Sequence, residues 1–146
     1  MQSVIHNSNL LEHGPVVEAE IFPTEESFLQ KKNFGTEERF ATVRLLIDTG
    51  SNISGLDRGF IHQLNLKPYA GKEEWADGPT GMWKVKRYQC VLYLPIFNTK
   101  ALNIEVLEGE YQRSHIHGVL GRDILQYCNF LYDGQNNAFR LEAKEF

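Results

Sequence analysis

The triplet Asp48-Thr49-Gly50 is the sharpest chemical feature of the chain. A given triplet of this kind turns up by chance in 146 residues on the order of a few per cent of the time. Asp and Gly after a strand are also ordinary turn residues. The approach to the triplet argues for chemistry: Leu45, Leu46 and Ile47 form an apolar run that delivers the carboxylate from a buried strand into a loop. Thr49 can hydrogen-bond locally and stiffen that loop, and Gly50 lets backbone come close to the carboxylate. Proton transfer is the chemistry open to such a group. Rival constellations are weaker. His115 and His117, two apart, share a side with each other, but Asp123 and the cysteines stand at no recognisable ligand spacing, so the pair reads as solvated and no metal is expected. Ser51 and Ser54 lack a nucleophile-elbow pattern and a histidine tied to either. No glycine-rich phosphate loop is present.

The elements that must position Asp48 are mostly strands. Met1 to Gly14 shows little periodicity and reads as a flexible lead-in to a domain spanning 15–146. Val16 to Phe22 is β-prone and ends at Pro23. Glu25 to Arg39 is a charged stretch with a turn at Asn33-Phe34-Gly35. From Phe40, alternation puts Ala41, Val43, Leu45 and Ile47 on one face of a strand that runs into Asp48. Asp57 caps a short helix reaching Leu66, with Phe60, Ile61 and Leu64 at helical spacing. Trp75 and Trp83 flank a hairpin whose tip holds Gly78, Pro79 and Gly81; its second arm runs to Leu94. The two tryptophans read as hairpin packing, and Lys84, Lys86 and Tyr88 as a solvated strand face. Ala101 to Leu107 is a further strand. Val119-Leu120-Gly121 is a short apolar run, Asp123 to Cys128 one or two helical turns, and Phe130–Tyr132 with Phe139–Leu141 a hairpin about Asp133-Gly134. The fold class is all-β with one or two short helices.

Composition bounds the partners. The chain is 42% hydrophobic and 23% charged, ordinary for a globular domain. Fifteen Lys and Arg against nineteen Asp and Glu leave a net charge of −4, which disfavours nucleic acid as main ligand. Lys84, Lys86 and Arg87 are too few for a nucleic-acid footprint. No run reaches the roughly 18 apolar residues of a membrane span, so no membrane partner is expected. Cys90 and Cys128 sit in apolar surroundings as small hydrophobes. Without a secretory leader pattern at the N-terminus, a cytoplasmic location is expected.

Leu45-Leu46-Ile47-Asp48-Thr49-Gly50-Ser51 resembles the active-site loop of the aspartic proteases, and of their single-domain retropepsin-like branch in particular. A second element, Gly118-Val119-Leu120-Gly121-Arg122-Asp123-Ile124-Leu125, is similar to the retropepsin pattern of two apolar residues, Gly-Arg-Asp or Gly-Arg-Asn, and a short helix. The hairpin between them stands where the family keeps its flap. The resemblance implies a closed β-barrel of the acid-protease type with its active site at a dimer axis.

The activity implied by the same resemblance is that of an aspartic endopeptidase without a cofactor, cutting an extended peptide or protein substrate. Two carboxylates must share one proton, and the chain supplies only Asp48, so a homodimer is implied in which two copies meet. Thr49 would hydrogen-bond across the axis and Gly50 would contact substrate. The Ser51 hydroxyl would donate to Asp48, favouring an acidic optimum. Gly78, Pro79, Thr80, Gly81 and Met82 would form the flap, and Gly121, Arg122 and Asp123 would buttress the loop. Asn52 departs from the viral enzymes, which usually carry an acid there that pairs with the arginine of the second motif. The alternative is a catalytically silent retropepsin-like module that holds peptide without cutting it.

Overall fold

In a computed structural model, residues 2–7, 9–35, 39–78, 81–98, 100–111 and 115–143 are described. The strands in chain order are β1 (Gln2–Asn7), β2 (Val16–Phe22), β3 (Ala41–Ile47), β4 (Gly55–Asp57), β5 (Lys67–Gly78), β6 (Gly81–Tyr93), β7 (Leu102–Gly109), β8 (Gly118–Leu120), β9 (Cys128–Asp133) and β10 (Ala138–Ala143). Between them lie the helices α1 (Glu25–Phe34), α2 (Arg58–Gln63) and α3 (Arg122–Leu125), and a 3-10 turn at Pro95–Phe97.

Apolar alternation makes β2 and β3 one wall of the core. Val17, Ala19 and Ile21 point inward with Ala41, Val43, Leu45 and Ile47, and Thr42 and Arg44 face out. One sheet runs β2-β3-β8-β4-β7-β6-β5, and β2 also pairs with β6, so six strands close into a barrel and β5 lies outside on β6. Inside sit Leu56, Ile61, Leu64, Leu120 and Ile124, with Phe139 and Leu141 of the second sheet, β1-β10-β9, packed in the same cluster. The mostly β fold with a closed barrel and short helices is therefore the one expected.

Two parallel pairs interrupt the antiparallel pattern and matter most for the site. β3 runs parallel to β8, and β4 parallel to β7, while β4 and β8 are antiparallel neighbours. At their crossing the backbones come unusually close: a Cβ on Gly118 would lie 2.1 Å from the Gly55 carbonyl oxygen. Neither main chain can retreat without losing ladder hydrogen bonds.

Three regions differ from the sequence reading. The stretch expected to be charged with a turn is helix α1, capped at Thr24, whose hydroxyl accepts the Ser27 amide at 3.1 Å, and closed by Gly35 at φ 67°. Its burial is confined to Ser27 and Phe28, while Leu29 and Phe34 are exposed. No apolar stripe therefore marks it in the sequence. Within the expected lead-in, Gln2–Asn7 pairs with β10 along its whole length. The pairing is between strands nearly the whole chain apart, which local periodicity does not report. Trp75, expected to pack in the hairpin, is 60% exposed, with the Lys84 ammonium 5.6 Å from its ring centre.

Cys90 is buried, and burial, with the Asp123 charge second, pushes its thiol up to about 12. Burial likewise raises Cys128 to about 11. Both behave as apolar side chains at neutral pH. Among the described residues no helix is long and apolar enough to cross a membrane.

Gly118→Ala is expected to cost about 3 kcal/mol or more in chemical denaturation, since the clash is with backbone. Gly35→Ala, which meets open space, is expected to lose only about 1 kcal/mol through its left-handed backbone. Equal losses would show that the β4–β8 crossing yields freely.

Candidate active site

Asp48 leaves the end of β3 with its amide donating to the Leu120 carbonyl at 2.9 Å, which continues the β3–β8 ladder by one residue. The chain then turns. The Ser51 amide returns to the Asp48 carbonyl at 3.2 Å, and the Gly50 amide donates to Asp48 Oδ1 at 2.9 Å. A bond from the carboxylate to an amide two residues on is an Asx-type turn, and it fixes the direction in which the carboxylate points. Asp48 is half-buried, and Thr49 and Gly50 are exposed.

The second motif grips this loop from the side. The Arg122 amide donates to the Ser51 carbonyl at 2.8 Å, and Arg122 Nη1 donates to the Thr49 carbonyl at 2.8 Å. Among the described residues the guanidinium braces main chain and pairs with no carboxylate. Gly121 packs flat on the loop: a Cβ there would sit 2.8–2.9 Å from the Ile53 and Ser51 backbone.

Asp123 completes the brace from below. Its Oδ1 accepts the Ser54 hydroxyl at 2.8 Å and its Oδ2 accepts the Ser54 amide at 3.0 Å. The Ser54 oxygen in turn accepts the Gly121 amide at 3.0 Å. Ser54 is 2% exposed, so these bonds are shielded from water and a missing partner would leave a desolvated group unpaired.

A second tie holds the other end of β8. His117 exchanges backbone bonds with both neighbours: its amide donates to Arg44, and its carbonyl accepts from Asp57. Its ring Nδ1 accepts the Arg44 amide at 2.9 Å, the Arg44 guanidinium lies 3.4 Å from Nε2, and Phe60 meets the ring edge-on. Burial first, and Arg44 second, lower the ring's affinity for a proton, with Asp57 opposing. Asp57 itself is buried as the α2 cap, accepting the Gly59 and Tyr111 amides at 2.9 and 2.8 Å.

The expected site residues divide into those brought together and those held apart. The loop of Asp48, Thr49, Gly50 and Ser51 meets that of Gly121, Arg122 and Asp123. Ser51 is corrected in role: its hydroxyl donates to the Ile53 carbonyl at 2.7 Å, and a hydroxyl has one proton to give, so Asp48 does not receive it. Gly78 and Gly81 pair at the hairpin tip, where Gly81 takes φ 113°, and Met82 is exposed. Pro79 and Thr80 lie outside the described residues. Among the described residues no hydrogen bond joins Gly78, Gly81 or Met82 to the Asp48 loop. Sequence reasoning does not reach Ser54, Arg44, His117 and Tyr111 as supports, since each acts through a partner 50 or more positions distant. No group of three or more His, Cys, Asp or Glu among the described residues is placed to hold a metal.

No family model matches the chain, and no curated protein matches its sequence. A solved structure of EIAV protease complexed with the inhibitor HBY-793 is similar to it, with 20% identity and a TM-score of 0.49, covering 80% of this chain and 88% of that one.

Asp123→Ala is expected to lose about 3 kcal/mol of stability by orphaning the amide and the hydroxyl of buried Ser54. Asp123→Asn, which keeps one carbonyl oxygen and can give a proton to Ser54, loses about 1 kcal/mol. Equal losses in urea unfolding would show that shape rather than hydrogen bonding matters there. The His117 ring contributes a pH dependence whose sign is fixed. Below the ordinary value of 6.5 the unfolded chain takes up a proton that the folded ring refuses, so its share of stability is whole above that pH and fades as the pH falls. Thermal unfolding between pH 7.5 and 5 should show a shallower decline in His117→Asn than in the unaltered chain; parallel declines would exclude the ring as the cause.

Proposed function

We propose that the chain is an aspartic endopeptidase that works as a homodimer, with two Asp48 carboxylates activating a water between them. The observation that carries this reading is the Asp48 loop itself: an outward carboxylate, fixed by the Gly50 amide and braced on its flank by Gly121, Arg122 and Asp123. Among the described residues no ion pair joins Asp48 to a cation, and a fixed carboxylate of that kind suits proton transfer better than ion pairing. The Thr49 hydroxyl, exposed and without a hydrogen bond among the described residues, is available to a second copy.

In the proposed reaction one carboxylate takes a proton from water, which attacks the scissile carbonyl, and its protonated partner donates to the carbonyl oxygen. Two like charges at hydrogen-bond distance hold one proton between them, and the rate is lost as rising pH removes it. With the Ser51 proton committed to Ile53, the acidic range rests on that shared proton alone. The substrate is an extended peptide or unfolded protein lying along the site as an added strand, under the β5–β6 hairpin as cover. No cofactor is invoked, and the cytoplasm remains the proposed location.

Cleavage of an unfolded protein, followed from acidic to neutral pH at several enzyme concentrations, tests this reading. Specific activity should rise with concentration, and Asp48→Asn should lower it by about a thousandfold or more. If neither protein cuts at any pH while both retain bound peptide, the molecule is a binding module instead.

A further inference from the structure

Tyr111 lies just beyond β7 and carries a hydroxyl that the catalytic reading does not use. Its amide is pinned to the buried Asp57 carboxylate at 2.8 Å. Its ring rests on two bared strands: a Cβ on Gly109 would come within 2.9 Å of the ring, and a Cβ on Gly55 within 2.6 Å of the hydroxyl oxygen. Gly55 and Gly109 belong to the parallel β4–β7 pair, in register with Leu107 and Asp57. Any side chain at 55 would push the phenol away.

The same position over Gly55 lies 3.4 Å from Val119 Cγ2. Val119 is half-buried, whereas its neighbour Leu120 is wholly buried, so strand alternation turns Val119 to the opposite face from the core. Leu120 is the residue whose carbonyl takes the Asp48 amide. Phenol and valine therefore form adjoining parts of one wall, a single residue from the Asp48 loop. Burial raises the phenol's pKa, and the Asp48 and Asp57 charges raise it further, which keeps the hydroxyl a donor throughout the acidic and neutral range. Among the described residues nothing accepts its proton.

We propose that Tyr111 is a specificity-determining residue of the Asp48 site, whose hydroxyl donates a hydrogen bond to an uncharged polar side chain (Ser, Thr, Asn or Gln) of the bound peptide. The assignment rests on the endopeptidase reading above. An acidic side chain there would meet the Asp48 and Asp57 charges. An aliphatic one would bury the hydroxyl without a partner, the loss by which polar pockets reject apolar analogues.

The full chain, Tyr111→Phe, Gly55→Ala and the double variant are compared on a peptide library varied around one cleavage site. The unaltered chain should favour Ser, Thr, Asn or Gln at one position. Tyr111→Phe should lower kcat/KM for those peptides about five- to tenfold and leave aliphatic ones unchanged or improved. Gly55→Ala should shift the profile in the same direction and add little in the Tyr111→Phe background. A profile unaltered by Tyr111→Phe, or a loss uniform across all peptides, overturns the assignment. Titration of the Tyr111 ring carbon by NMR reads the site without catalysis: its pKa should fall in Asp48→Asn, and no change overturns the assignment of the phenol to the field of the Asp48 carboxylate. If the unaltered chain cuts nothing, the endopeptidase reading falls and takes this assignment with it. If it cuts with a profile indifferent to Tyr111→Phe, only the Tyr111 assignment falls.

Discussion

The Asp123 carboxylate is the tie on which the arrangement depends. It accepts two bonds from Ser54 and one from the Ile124 amide within its own helix α3. Through Ser54 it holds the chain after the Asp48 loop, and through Gly121 it holds the chain after β8. Charge-assisted bonds in a shielded place are stronger than exposed ones, so two loops that meet edge-on behave as one body. Arg122, next to this tie, is then free to reach across to the Thr49 carbonyl and steady the exposed face of the loop.

The barrel supplies the rest of the constraint. β3 and β8 lie parallel, so their ends emerge on the same side and bring Asp48 and Gly121 out together. An antiparallel pair would have sent them to opposite ends. The Arg44–His117–Asp57 contacts secure the entry to β8 as the Asp123 contacts secure its exit. Between these two ties the strand is only three residues long, which leaves little length over which Asp48 can drift. Asp57 serves both structures at once, capping α2 and anchoring the backbone of Tyr111.

Much of this is legible in the sequence because it is periodic or punctuated. Val16–Phe22 with Pro23 behind it, and the alternation leading to Ile47, announce β2 and β3. Asp57 before Phe60, Ile61 and Leu64 announces α2, and paired glycines announce the β5–β6 turn. The two chemical motifs are visible as well, as short strings of unusual residues. The illegible parts are those whose meaning lies in a distant partner. Ser54 looks like any turn serine until Asp123 is beside it, and Tyr111 like any loop tyrosine until Gly55 makes room for it. Ser51 is given the wrong acceptor because sequence shows that a hydroxyl is near, not which way its proton turns. Helix α1 escapes notice because it buries so little that its signals are caps alone.

The parallel pairings also set an order of events during synthesis. β3 and Asp48 leave the ribosome long before β8 and Gly121 exist, and contacts across such separations form late and slowly. Until the last part of the chain has joined the barrel, the Asp48 loop lacks its braces and its amide has no carbonyl to meet. A nascent chain of this protein therefore carries the Asp48 carboxylate on an unbraced loop, and that loop takes its shape only after the second motif has been made.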